Sequence, residues 1–116
     1  MISEIKYTPV FEKYFKPYSK KYPSLANDLK ILENELLENP KLGSDLGGGL
    51  YKIRLAVKSK NKGKSGGFRV ITYLLAKKED LLLQKEEKIE ITLVILYDKS
   101  EITNLSKQEL LNILQN

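Results

Sequence analysis

The run Ile89–Tyr97, Ile-Glu-Ile-Thr-Leu-Val-Ile-Leu-Tyr, most limits what this chain can become. It is rich in β-branched and aliphatic residues and far shorter than the ~20 apolar residues that a membrane helix needs. It reads as the most buried strand of a sheet, with a central place in it. A central strand needs neighbours, and the sequence supplies them. Tyr51, Ile53, Leu55 and Val57 alternate with Lys52, Arg54, Ala56 and Lys58, the pattern of a half-buried antiparallel strand with one basic face. Phe68–Ala76 is its partner strand across the loop Ser59–Gly67. Near the start, Ile5 and Tyr7 alternate with Glu4 and Lys6, which predicts a first strand over Ile2–Tyr7. Two stretches read as connections: Lys41–Leu50, with Gly43, Gly47, Gly48 and Gly49, and the charged segment Lys77–Lys88 with its small apolar centre.

Helices account for the rest. Thr8-Pro9 reads as an N-cap followed by proline at the first helical position. Phe11, Tyr14, Phe15 and Tyr18 then mark a buried face, which Pro17 should kink or shorten. Ser24 is the next N-cap, with Asp28 in the first turn favouring the helix dipole. Leu25, Leu29, Leu32 and Leu36 form the clearest amphipathic stripe in the chain, ending near Asn39 because Pro40 cannot continue it. Ser106-Lys-Gln-Glu109 is a capping box ahead of a short terminal helix. The order strand, helix, helix, three strands, helix gives an α+β class. A small antiparallel-dominated sheet packs against an N-terminal helical hairpin, with a short C-terminal helix. At 116 residues the expectation is one domain, 1–116, able to bury a core without staples.

Charge is unevenly placed. Tyr51–Lys78 holds Lys52, Arg54, Lys58, Lys60, Lys62, Lys64, Arg69, Lys77 and Lys78 and no acid, whereas the remainder carries 11 basic residues against 15 acidic ones. The net +5 therefore comes from one segment. Such a field suits an anion, and a phosphate backbone is the usual one. The bland alternative is a solvated basic hairpin with no partner. The chain has no Cys and no His, which removes disulfides, thiolate nucleophiles, imidazole bases and the usual zinc sites. Any catalysis must run on Lys, Arg, Tyr, carboxylates or hydroxyls, and no metal or cofactor site is expected. The N-terminus does not read as a signal peptide, so a cytoplasmic protein with no membrane association is expected.

Gly63-Lys64-Ser65 looks like the end of a nucleotide-binding P-loop. That pattern needs a glycine where Lys58 stands and a helix where Phe68 begins a strand, so it fails twice. The basic strand face carries more. Lys52, Arg54 and Lys58 point to one side of their strand, and Arg69 lies on the next strand of the same hairpin. Cations on adjacent strands repel, which lowers a lysine pKa, and such crowding is tolerated where an anion binds or a less protonated lysine is useful. Arginine's planar fork suits phosphate oxygens.

The run Tyr51-Lys-Ile-Arg-Leu55, then Gly63-Lys-Ser-Gly-Gly-Phe-Arg-Val-Ile71, then Tyr97-Asp-Lys-Ser-Glu101 resembles the RelE/ParE superfamily of toxins from bacterial type II toxin–antitoxin systems. The similarity is nearest to the HigB/RelE-type branch and covers essentially the whole chain. It implies a RelE/ParE-like toxin fold with a curved sheet on two helices. It implies an mRNA interferase that enters the ribosomal A site, cuts mRNA with basic residues and needs no metal. It also implies a cognate antitoxin, a helix-turn-helix protein, that wraps the toxin. Carried over by position, the family's basic strand falls on Lys52 and Arg54, the arginine of the next strand on Arg69, and the basic residue after the final strand on Lys99, with Tyr97 beside it. The segment Ile102–Ser106 departs from the family, because it holds neither the Tyr nor the His that some members place there.

RNA cleavage without metal proceeds by attack of the 2′-OH on phosphorus. Arg54 and Arg69 would stabilise the phosphorane, Lys52 would act as base, and Tyr97 or Lys99 as acid, or Tyr97 would stack on a base. Lys58, Lys60, Lys62 and Lys64 would contact phosphates of ribosomal RNA or mRNA. Two other readings stand beside this one: a ParE-like gyrase poison, whose relatives generally lack the basic cluster, and a non-catalytic nucleic-acid-binding or antitoxin-partner protein.

Overall fold

The computed structural model describes residues 2–60, 67–81, 84–102 and 104–115. Its elements are β1 (Ile2–Tyr7), α1 (Pro9–Lys21), α2 (Leu25–Glu38), β2 (Ser44–Gly47), β3 (Leu50–Leu55), β4 (Phe68–Leu81), β5 (Gln84–Asp98) and α3 (Lys107–Gln115). The strands form one sheet in the order β1-β5-β4-β3-β2. Only β1 runs parallel to its neighbour, β5; the other pairs are antiparallel. The α+β class, the helical hairpin and the short last helix all appear as the sequence predicts.

The strand read as central is flanked by β1 on one side and β4 on the other. Its residues serve two cores. Ile91, Leu93 and Leu96 join the leucine stripe of α2, Phe11 of α1 and Ile53 and Leu55 of β3. Val94, Ile95 and Tyr97 join Leu50, Ile71 and Leu110 of α3. An aliphatic strand without a polar face follows from this double burial. Thr8 ties the first helix to it. Its hydroxyl donates to the Val94 carbonyl at 2.7 Å and accepts from the Phe11 N–H at 2.9 Å, so one side chain caps α1 and fixes it to β5. The capping box of α3 forms as expected, with Ser106 Oγ accepting from the Glu109 N–H at 3.1 Å and Glu109 Oε1 accepting from the Ser106 N–H at 3.2 Å.

Several local expectations are corrected. Lys41–Leu50 is not only a connection: Ser44–Gly47 forms an edge strand on β3, turned by Gly47, Gly48 and Gly49 at φ of 87, 64 and 88°. Those positive angles are what glycine supplies, so the glycines make a hairpin and not just a loop. Lys77–Lys88 is likewise no simple connection. β4 and β5 stay paired through it, as far as Leu81 opposite Gln84. Cross-strand pairing carries the ladder where apolar alternation has stopped. Pro17 sits inside α1, which runs on to Lys21. Ser24 does take the N-cap position of α2, its carbonyl accepting from the Asp28 N–H at 2.9 Å, but its hydroxyl caps no backbone N–H and donates to Asp28 Oδ2 at 2.7 Å.

Candidate nucleic-acid interface

Register builds the site. Arg54 of β3 stands opposite Arg69 of β4, and Arg69 stands opposite Tyr97 of β5, so the three form a row across adjacent strands. Two positions along β3 on the same face is Lys52, itself opposite Ser44 of the edge strand. Lys99 follows Tyr97 by two and lies just past the end of β5, where its N–H reaches the Gly67 carbonyl at 3.5 Å. Ser44, Lys52, Arg54, Arg69, Tyr97 and Lys99 line one cleft of about 180 Å³. All five residues read from sequence as catalytic candidates are thus brought together from three separate segments.

The cleft is polarised. Like charges placed directly opposite each other in a sheet cost roughly 0.2–1 kcal/mol per pair, and Arg54–Arg69 is such a pair. Among the described residues no carboxylate lies within ion-pair distance of Lys52, Arg54 or Lys99. Arg69 is only 6% exposed and donates from Nη1 to the Phe68 carbonyl at 3.2 Å, so its guanidinium is held in place. Tyr97 is 3% exposed; burial pushes its hydroxyl above the usual tyrosine value, against the opposing pull of Arg69. It therefore remains an O–H donor at neutral pH.

The loop lysines divide. Lys58 is exposed at the start of a 3-10 turn, Lys58–Lys60, and no longer belongs to the strand. That turn is clamped to α2. Asp28, only 3% exposed, accepts from the Lys58 N–H at 3.2 Å as well as from Ser24, while Ser24 Oγ accepts from the Ser59 N–H at 2.9 Å. Lys60 turns inward. Its Nζ meets Asp98 Oδ2 at 2.6 Å and lies 5.0 Å from the centre of the Phe68 ring and 5.8 Å from that of Tyr22. Its ammonium is thus engaged within the fold, by a buried carboxylate and two aromatic faces. Lys62 and Lys64 lie outside the described residues.

Asp98 is the hub of that inner network. Burial raises its pKa, but bonds from Lys60 and from the Ser100 N–H and hydroxyl, both at 2.9 Å, outweigh this and hold the carboxyl below the usual range. Nearby, the Tyr18 hydroxyl donates to Glu101 Oε2 at 2.6 Å and is pushed up to about 12, first by burial and then by that carboxylate. Sequence reasoning missed Ser44 and Asp98. Ser44 sat in a stretch read as loop, and the Tyr97-Asp-Lys99 run gave no sign that its acid is paired with a lysine 38 positions away.

The site is thus a sheet-borne row of two arginines and a tyrosine, flanked by two lysines on a small α+β scaffold. Residues 9–115 match the family described as "RelE toxin of RelE / RelB toxin-antitoxin system". The chain belongs to this RelE toxin family. No solved structure matches it. Among the described residues no helix is long and apolar enough to cross a membrane.

Proposed function

We propose that this toxin is an endoribonuclease that cuts mRNA on the ribosome and is held inactive by a cognate antitoxin. One observation carries the reading: Lys52, Arg54, Arg69, Tyr97 and Lys99 line a single cleft sized for a phosphate group. In the reaction, the ribose 2′-oxygen forms a bond to the adjacent phosphorus and the bond from phosphorus to the 5′-oxygen breaks. The products are a 2′,3′-cyclic phosphate and a 5′-hydroxyl.

Arg54 and Arg69, fixed opposite each other, would hold the non-bridging oxygens as charge builds on them, which is usually the largest contribution to such catalysis. Lys52 would take the proton of the 2′-OH, and Lys99, at the far end of the row, would give one to the leaving 5′-oxygen. Tyr97, kept protonated by its burial, would donate a hydrogen bond to a phosphate oxygen. Each proton transfer accounts for roughly 10²–10⁴-fold in rate.

The test is a translation reaction on a defined mRNA, with cut sites mapped by primer extension beside Arg69→Ala and Arg54→Ala. Discrete, ribosome-dependent cuts that vanish in folded variants are expected. Intact mRNA with folded wild-type protein would remove this reading and leave gyrase-dependent DNA breaks as the next assay. Capture of the chain by a small helix-turn-helix protein encoded beside it, with loss of cutting, is expected of the antitoxin.

A further inference from the structure

The edge strand β2 covers β3 only as far as Lys52, which is paired with Ser44. Beyond it, among the described residues, Ile53–Leu55 has no strand neighbour on that side. A groove of about 440 Å³ opens there, between the edge of β3 and the flank of α2. Its apolar wall is made by Ile31, Leu32, Ile53 and Leu55, and Glu35 and Lys58 stand on it as charged groups. The other wall is a close backbone approach. Gly43 has φ +98°, and a Cβ there would lie 2.4 Å from the Lys52 carbonyl oxygen, so the backbone entering β2 is pressed directly against β3.

Ser44, Lys52 and Arg54 line both this groove and the basic cleft. The two spaces therefore adjoin at these three residues on the β3 edge. We infer that the groove is a nucleoside subsite, which receives the base and ribose adjoining the phosphate held in the cleft. This inference rests on the ribonuclease reading and adds a place for the substrate's sugar and base. The volume is within the ~300–1,000 Å³ of small-molecule sites, which are mostly apolar with a few placed polar groups. Ile31, 42% exposed, offers a surface for the face of a base, with the buried Leu32 packed behind it. The open edge of β3 offers backbone N–H and C=O groups. Glu35, an acceptor only when ionised, selects bases that present N–H donors on their pairing edge. Lys58 on the rim suits the next phosphate.

The experiment is methyl NMR on the full chain, titrated with inorganic phosphate and with 2′-O-methylated dinucleotides carrying each of the four bases. The methylated ribose cannot attack, so binding is read apart from cleavage. Methyl signals of Ile31 and Leu32 should shift with dinucleotides and not with phosphate. Glu35→Gln should narrow the spread of affinities among the four bases by about tenfold, the scale of one charged hydrogen bond. Ile31→Trp should fill the groove and reduce dinucleotide binding to that of phosphate, with the Leu110 methyls unchanged as the mark of an intact fold. Silent Ile31 and Leu32 methyls, or a base order and spread untouched by Glu35→Gln, would overturn the inference. Shifts at Ile31 with a peptide from the antitoxin but with no dinucleotide would also overturn it and assign the groove to protein. If mRNA stays intact during translation while Ile31 and Leu32 still report dinucleotides, the ribonuclease reading fails and the subsite stands.

Discussion

The basic segment treats its cations in two opposite ways within a few residues. At the base of the loop, Lys60 is supplied with an internal anion: Asp98 at 2.6 Å, with aromatic rings beneath the ammonium. In the cleft, Arg54 and Arg69 face each other, with Lys52 and Lys99 beside them. The end of β5 connects the two. Tyr97 and Lys99 line the cleft, while Asp98 between them binds Lys60. Strand alternation thus turns the Asp98 carboxylate away from the face that Tyr97 and Lys99 share. Lys60 is matched to an internal carboxylate, whereas among the described residues Lys52, Arg54 and Lys99 have no carboxylate within ion-pair distance.

The widest separation between the two regions should appear in stability. Asp98→Asn leaves the part-buried Lys60 without its counter-charge and should lower stability, with the ~3–5 kcal/mol of a fully buried pair as the upper bound. Replacing both, with Lys60→Met and Asp98→Leu, should recover most of that loss in denaturant unfolding, because the desolvation cost of both charges is removed as well. Arg54→Ala should do the reverse. It removes a repelling charge from an exposed position, so stability should stay within about 0.5 kcal/mol of wild type or rise slightly. Its cutting rate on ribosomes should fall by about 10²–10³, as for the loss of one oxyanion donor. A cleft variant that unfolds, or an Asp98→Asn protein as stable as wild type, would erase the contrast.

How much of this was legible in the sequence differs between the same two regions. Alternation along Tyr51–Val57 placed Lys52 and Arg54 on one face without any structure, because period-two patterning is local. The hairpin reading added Arg69 and the family resemblance Tyr97 and Lys99, and the observed register puts Arg69 directly opposite both Arg54 and Tyr97. Lys60 read as one more surface lysine because its partner is distant in sequence, and a buried ion pair leaves no local pattern. Asp28 is the first-turn acid of α2, as read, but its second role was hidden: its carboxylate also receives the Lys58 N–H from 30 positions away. The charged segment after Lys77 lacked alternation, so only the paired backbone reveals that β4 and β5 extend through it. Local periodicity gave the elements and one face of the site, while long-range polar pairing had to be seen.

The contrast also has a pH signature. Asp98 has its pKa depressed in the folded state, so its contribution to stability is present above the ordinary aspartate value of about 3.9 and is lost as pH falls through the lower folded value. Tyr97 works in the opposite direction. Its folded pKa is raised, so its contribution is complete below about 10 and is lost as pH rises further. Thermal unfolding across pH should therefore show an acid limb that is blunted in the double variant Lys60→Met with Asp98→Leu, and an alkaline limb that is blunted in Tyr97→Phe.

The smallest effect sharpens the comparison most, because it sets two neighbouring lysines against each other. Lys58 is exposed on the rim, and Lys60 is part-buried and paired with Asp98. If Lys58 neutralises one phosphate of a bound strand, Lys58→Gln should reduce the slope of log affinity against log salt by about 0.7 for single-stranded RNA. Lys60→Gln should lower stability and leave that slope unchanged, since its charge is already neutralised within the protein. Equal slopes in wild type and Lys58→Gln would move Lys58 from the binding surface to the solvated exterior. A reduced slope in folded Lys60→Gln would show that the Asp98 pair opens when RNA binds.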